Sequence, residues 1–156
     1  MLRIYCFMLF LFSGFLCAKE IVGKVVRVLD GDTIEVLQDK KTVRIRLINI
    51  DAPEKKQPFG RWSTNQLKSL IAGRIVTVSY SQTDRYGRVL GRVVTANGIE
   101  ANRWMVQNGA AWVYDKYNTD PSLPVLQREA RIRKFGLWLD NAPVPPWEWR
   151  QKNRNL

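Results

Sequence analysis

Three short segments carry residue types that can do chemistry together: Asp30-Gly31-Asp32-Thr33, then Arg44-Ile45-Arg46-Leu47-Ile48-Asn49-Ile50-Asp51-Ala52-Pro53-Glu54, then Thr83-Asp84-Arg85-Tyr86-Gly87-Arg88. In the second, arginines alternate with apolar residues along a strand, and a mostly apolar run ends in a turn with two acids around a proline. An arginine, two carboxylates and a rigid turn so close in sequence can hold a metal ion beside a phosphate. Asp32 and Asp51 are short carboxylates at the ends of expected strands. Ligation by oxygen alone selects a hard cation, Ca²⁺ or Mg²⁺. Arg46 and Arg88 can each fork onto two phosphate oxygens. Glu54, on the turn fixed by Pro53, can reach a water near such a metal.

Composition narrows the chemistry. The chain has 156 residues, enough for one domain and one core. It holds no histidine, which excludes Ser-His-Asp and Cys-His arrangements and His-ligated zinc or iron. A general base must then be a carboxylate, a lysine, a tyrosine or a metal-bound hydroxide. With 25 Lys+Arg against 14 Asp+Glu the formal net charge is +11, which favours a polyanionic partner. Ser63 and Ser122 have no histidine partner, so a serine nucleophile is not expected.

The first segment has the layout of a secretory signal peptide. Arg3 precedes an almost wholly apolar run from Ile4 to Leu16, and Cys17-Ala18 precede the charged pair Lys19-Glu20. The run is short for a membrane span. Residues 1–18 are expected to be cleaved after Ala18 and the product secreted or periplasmic, with a retained anchor as the alternative. Both cysteines, Cys6 and Cys17, would leave with the signal, so the mature chain would need no disulfide.

Residues 19–156 are expected to form a single domain. Strands are expected over 21–29, 33–37, 42–50, 74–81 and 89–95, with tight turns at Asp30-Gly31-Asp32, Gln38 to Lys41, Thr83 to Arg88 and Asn97-Gly98. Asp32, Ile34 and Val36 share one strand face, so Asp32 ends a core-facing row. Helical spacing of Phe59, Trp62, Leu67 and Leu70 predicts a helix up to Gly73, and a short one runs from about Ile99 to Gln107. A last helix is expected from Ser122 as cap, with Pro124 in its first turn, to Gly136. Residues 140–156, rich in Pro and Trp, are expected as an extended C-terminal arm. The pattern suggests an α+β, mainly β fold: a five-stranded OB-type barrel with about three helices.

The three motifs, in this order, resemble the staphylococcal-nuclease-like thermonucleases, with softer echoes at Asn108 to Tyr114 and Ala130 to Trp138. Three ordered motifs are a far more specific signal than any one of them. Alone, Asp30-Gly31-Asp32 is a hairpin turn, Arg44 and Arg46 a solvated strand face, and Arg88 a surface arginine. The resemblance implies that Asp32, Asp51 and the main-chain carbonyl of Ala52 bind Ca²⁺. It implies that Arg46 and Arg88 hold and stabilise the phosphate, and that Glu54 orients or deprotonates the attacking water. Arg85, Tyr86, Trp112 and Tyr114 would contact substrate; Trp112 stands where a tyrosine is familiar, and Ala52 where a threonine is often seen. The implied activity is low-specificity hydrolysis of DNA and RNA that leaves 3′-phosphates. The protein is expected to be a monomer. The rival reading is an OB-fold module that binds nucleic acid without cutting it; the presence of Asp32, Arg46, Asp51, Glu54 and Arg88 argues against it.

Overall fold

A computed structural model describes residues 19–154; the expected signal peptide lies outside them. Alternating burial builds the first strands. In β1 (Lys19–Val28), Ile21, Gly23 and Val25 point inward while Val22, Lys24 and Val26 face solvent. β2 (Thr33–Gln38) and β3 (Lys41–Leu47) follow across tight turns. β5 (Ile75–Thr83) and β6 (Val89–Thr95) complete a closed barrel in the order β1-β2-β3-β6-β5. Neighbours are antiparallel except β3 and β6, which pair in parallel with Ile45 opposite Val89. The fully buried Ile34, Val36, Ile45, Leu47, Val78 and Val93 fill the interior. The expected mainly-β barrel is therefore present.

The expected strand over 42–50 breaks. Asn49 takes a left-handed conformation, φ 69°, which an asparagine tolerates better than most residues. The chain leaves the barrel there and forms a separate pair, β4 (Ile50–Asp51) with β7 (Trp112–Val113). Asn102 holds this departure from inside: its Nδ2 donates to the carbonyls of Ile48 and Gly91, and its Oδ1 accepts from the Val93 amide.

The helices are α1 (Gly60–Ile71), α2 (Ala101–Gln107), α3 (Leu123–Ile132) and α4 (Pro146–Asn153). Ser122 makes no side-chain cap to α3; its hydroxyl donates to Asp120 instead. α3 ends at Ile132, and Lys134 turns left-handed with φ 52°. The C-terminal arm is not extended, because α4 occupies half of it. Pro146 stands in its first turn, where a missing N–H costs nothing and the fixed φ suits a helix.

Candidate active site

The β1–β2 turn presents Asp32. Asp30 Oδ1 accepts from the Asp32 amide at 3.1 Å, so the turn closes on its own side chain. A Cβ on Gly31 would stand 2.0 Å from Ser63 Oγ and 2.6 Å from Ala52 Cβ. Only a glycine lets this turn press against both α1 and the segment after β4. Asp32 Oδ2 then accepts the Ala52 amide at 2.7 Å, which ties the two acidic segments together.

Arg46 lies between the acids. Its Nε is 3.2 Å from Asp32 Oδ1 and its Nη2 is 3.2 Å from Asp51 Oδ1. Nη1 donates to the carbonyls of Leu47 and, at 2.9 Å, Ile50. These are the main-chain atoms at the strand break, so the guanidinium also fixes the turn that carries Asp51. Asp51 is 1% exposed. Burial, then the nearby Asp32 carboxylate, push its pKa up against the opposing pull of Arg150 and Arg46. Asp30 is pushed up to about 6 by burial and by the charge of Asp32.

Glu54 sits on a turn closed from several sides. The Gln57 amide donates to the Glu54 carbonyl at 2.8 Å, and the Glu54 amide donates to Gln57 Oε1 at 3.1 Å. Gln57 Nε2 reaches the Val144 carbonyl at 2.6 Å, joining this turn to the C-terminal segment. Gly60 passes so close to the Glu54 carbonyl that a Cβ would lie 1.9 Å from it.

Arg150 of α4 is the site residue that sequence reasoning missed. Its Nη2 is 2.7 Å from Asp51 Oδ2; its Nη1 is 3.1 Å from Asp51 Oδ1 and 2.8 Å from Glu54 Oε1. Burial works against its charge, but the bonds to Asp51 and Glu54 outweigh it and raise its pKa. Trp147 anchors this helix: its ring stacks on Tyr114, 5.4 Å between centroids with an interplanar angle of 1°, and meets Trp112 edge-on at 5.7 Å.

Asp32, Arg46, Asp51, Ala52 and Glu54 thus come together. Ala52 takes part through its amide on Asp32. Arg88 stands apart from the carboxylates among the contacts of the described residues. It is held by Asp84, Nη2 to Oδ2 at 2.8 Å, and Asp84 also accepts from the Tyr86 and Arg88 amides. Arg85 and Arg88 both lie over the Tyr86 ring, at 4.9 and 5.6 Å, and that ring is 69% exposed. The parallel register puts this turn beside β3, so Arg88 flanks the strand that carries Arg46.

The expectation for Trp112 needs correcting. It is 7% exposed, packed edge-on against Trp138 at 4.5 Å and covered by the Arg131 guanidinium and Trp147. It is a core ring with no free face for a base. Tyr114 is half-buried, with one face against Trp147.

The donor set fits a hard cation. Asp32 and Asp51 are close enough to repel, both are buried, and oxygens are the ligands on offer. Among the described residues no group of three or more acidic, histidine or cysteine side chains converges as a complete cage. A cation here would take two carboxylates, main-chain oxygen and water, as Ca²⁺ and Mg²⁺ accept.

A small mixed barrel with buried acids and clamping arginines at one rim is the framework of a phosphodiesterase of the nuclease type. The chain belongs to the staphylococcal nuclease homologue family, whose pattern matches residues 44–140. An "uncharacterized endonuclease" of Escherichia coli is 63% identical over 144 residues, covering 92% of this chain and 94% of its own length. A "micrococcal nuclease" of Shigella flexneri is 41% identical over 143 residues, covering 85% of this chain and 82% of its own. A "staphylococcal-like nuclease CAN1" of Arabidopsis thaliana is 36% identical over 136 residues, covering 87% of this chain and 41% of its own.

Proposed function

We propose that the protein is a secreted or periplasmic Ca²⁺-dependent nuclease that hydrolyses phosphodiester bonds of DNA and RNA with low sequence specificity and leaves 3′-phosphates. The observation that carries this is the clamp of Arg46 between Asp32 and Asp51, with Glu54 on the adjoining turn. Asp32, Asp51 and the Ala52 carbonyl would hold the cation, which supplies charge neutralisation at the phosphate. Arg46 and Arg88 bind phosphate oxygens and stabilise the charge that grows on them in the transition state. Arg88 is supplied from a separate turn, beside Tyr86 and Arg85, which contact the flanking phosphate. Glu54 orients the attacking water and takes its proton at a carboxylate oxygen. With no histidine in the chain, a carboxylate is the side chain suited to that task near neutral pH.

The test is digestion of single-stranded DNA and of RNA by residues 19–156, with Ca²⁺ and with a chelator. Cutting that vanishes on chelation and in Glu54→Gln supports the reading. DNA binding that persists without cutting in Ca²⁺, Mg²⁺ or Mn²⁺ would leave a non-catalytic binding module.

A further inference from the structure

A groove of about 760 Å³ runs between the end of β1 and α1, on a part of the surface the proposed chemistry does not use. Arg27 of β1 lines it and pairs with Glu35 at 3.9 Å; its unpaired cations come from two places. Lys55 and Lys56 lie on the turn after Glu54. Arg61, Asn65 and Lys68 are one face of α1, at the four- and three-residue steps that stack along a helix. All five side chains are exposed. Among the described residues, Lys55, Lys56, Arg61 and Lys68 enter no ion pair and no side-chain hydrogen bond, whereas Arg44, Arg92 and Arg103 are paired with acids. No acid and no aromatic residue lines the groove. Four unpaired like charges around one concavity give it a positive potential that attracts anions.

The groove is continuous with the active site. Lys55 and Lys56 also line a second hollow of about 460 Å³, whose other walls include Asp30, Glu54 and Arg150. A chain of phosphates leaving the carboxylate cluster therefore meets Lys55 and Lys56 first, and Arg61 and Lys68 beyond them. An anionic bilayer is a poorer fit, because a sheet of headgroups meets convex surface rather than the floor of a groove.

We propose that this groove is a second nucleic-acid subsite, which holds the phosphates of the strand flanking the cut bond through Lys55, Lys56, Arg61 and Lys68. With no ring to stack a base and cations as its main polar groups, it grips backbone rather than bases. The proposal rests on the nuclease reading.

Arg61→Glu/Lys68→Glu tests it, with Arg61→Gln/Lys68→Gln as the neutral companion; both positions are exposed and outside the catalytic cluster. Binding of a dinucleotide and of a single strand of about 20 nucleotides is measured in chelator, so cutting plays no part. The wild type should bind the long strand far more tightly than the dinucleotide. The neutral variant should lose about tenfold or more on the long strand only, with the slope of log K against log salt shallower by about 1.4 for two lost phosphates, and the reversed variant should lose more. Cleavage of the dinucleotide in Ca²⁺ should be unchanged in both. Equal long-strand affinity in wild type and variants overturns the subsite, as does variant loss confined to phosphatidylserine vesicles. A wild type that binds the long strand but never cuts overturns the nuclease reading and leaves the groove measurable.

Discussion

Arg46 makes bonds to two carboxylates and two carbonyls, so it serves folding as well as chemistry. Removing one partner of a buried ion pair leaves an uncompensated charge, at a cost of about 3–5 kcal/mol. Arg150 still pairs with Asp51 and the Ala52 amide with Asp32, so Arg46→Ala should lower the unfolding free energy read by urea denaturation by less than that, and also reduce turnover by about two to three orders of magnitude. Arg46→Lys should recover part of the stability but little of the turnover, since an ammonium cannot fork onto a phosphate. A variant with full stability and lost turnover would show that the clamp bears no structural weight. Asp30 offers a separate reading of the same turn. Its pKa is about 6 in the fold against 3.8 ordinarily, so between those values the native state holds a proton that the unfolded chain has released. Stability then falls as pH rises through that window. In chelator, Asp30→Asn should gain thermal stability over wild type at pH 8 and show no gain at pH 3.5. At this scale the acids and Arg46 were legible, because their types and order carry the chemistry. The fate of Trp112 was not, since a ring on a two-residue strand reads alike whether it faces solvent or core.

At the scale of elements, α4 is the part the sequence concealed. Three prolines and two tryptophans between Asn141 and Trp149 read as an arm, and nothing in their periodicity shows that Trp147 reaches Tyr114. The signal available was Pro145-Pro146 as a helix start, with a single arginine projecting among aromatic anchors. The consequence is a competition: Arg150 holds both oxygens of Asp51, so a cation held by that carboxylate would have to displace or share with it. Arg150→Ala should therefore raise Ca²⁺ affinity, read by isothermal titration calorimetry, and lower the melting temperature of the metal-free protein. Trp147→Ala should move both in the same direction by releasing the helix that carries Arg150. Unchanged Ca²⁺ affinity in Arg150→Ala would mean that the guanidinium swings away at no cost. The strand break at Asn49 was equally hidden, because Ile48 to Ile50 suits a strand and the bonds that draw the chain aside come from Arg46 and from the buried Asn102, 54 residues from Ile48.

For the whole molecule, the barrel was legible through its strands and their turns, but its closure was not. The parallel pairing of β3 with β6 joins segments that no local pattern relates. The same scale bears on export. Lys19 pairs with Tyr80 of β5, so cleavage after Ala18 would leave that pairing in the mature chain. It would also remove both cysteines. A barrel held by apolar burial and ion pairs alone gains nothing from an oxidising compartment and loses nothing to a reducing one. Protein expressed with its full sequence and recovered from the periplasm or medium should begin at Lys19 by N-terminal sequencing. Its melting temperature should be the same with and without dithiothreitol. An N-terminus at Met1 in membrane fractions, or a melting temperature that drops on reduction, would instead mean that residues 1–18 stay with the enzyme and hold it at a surface.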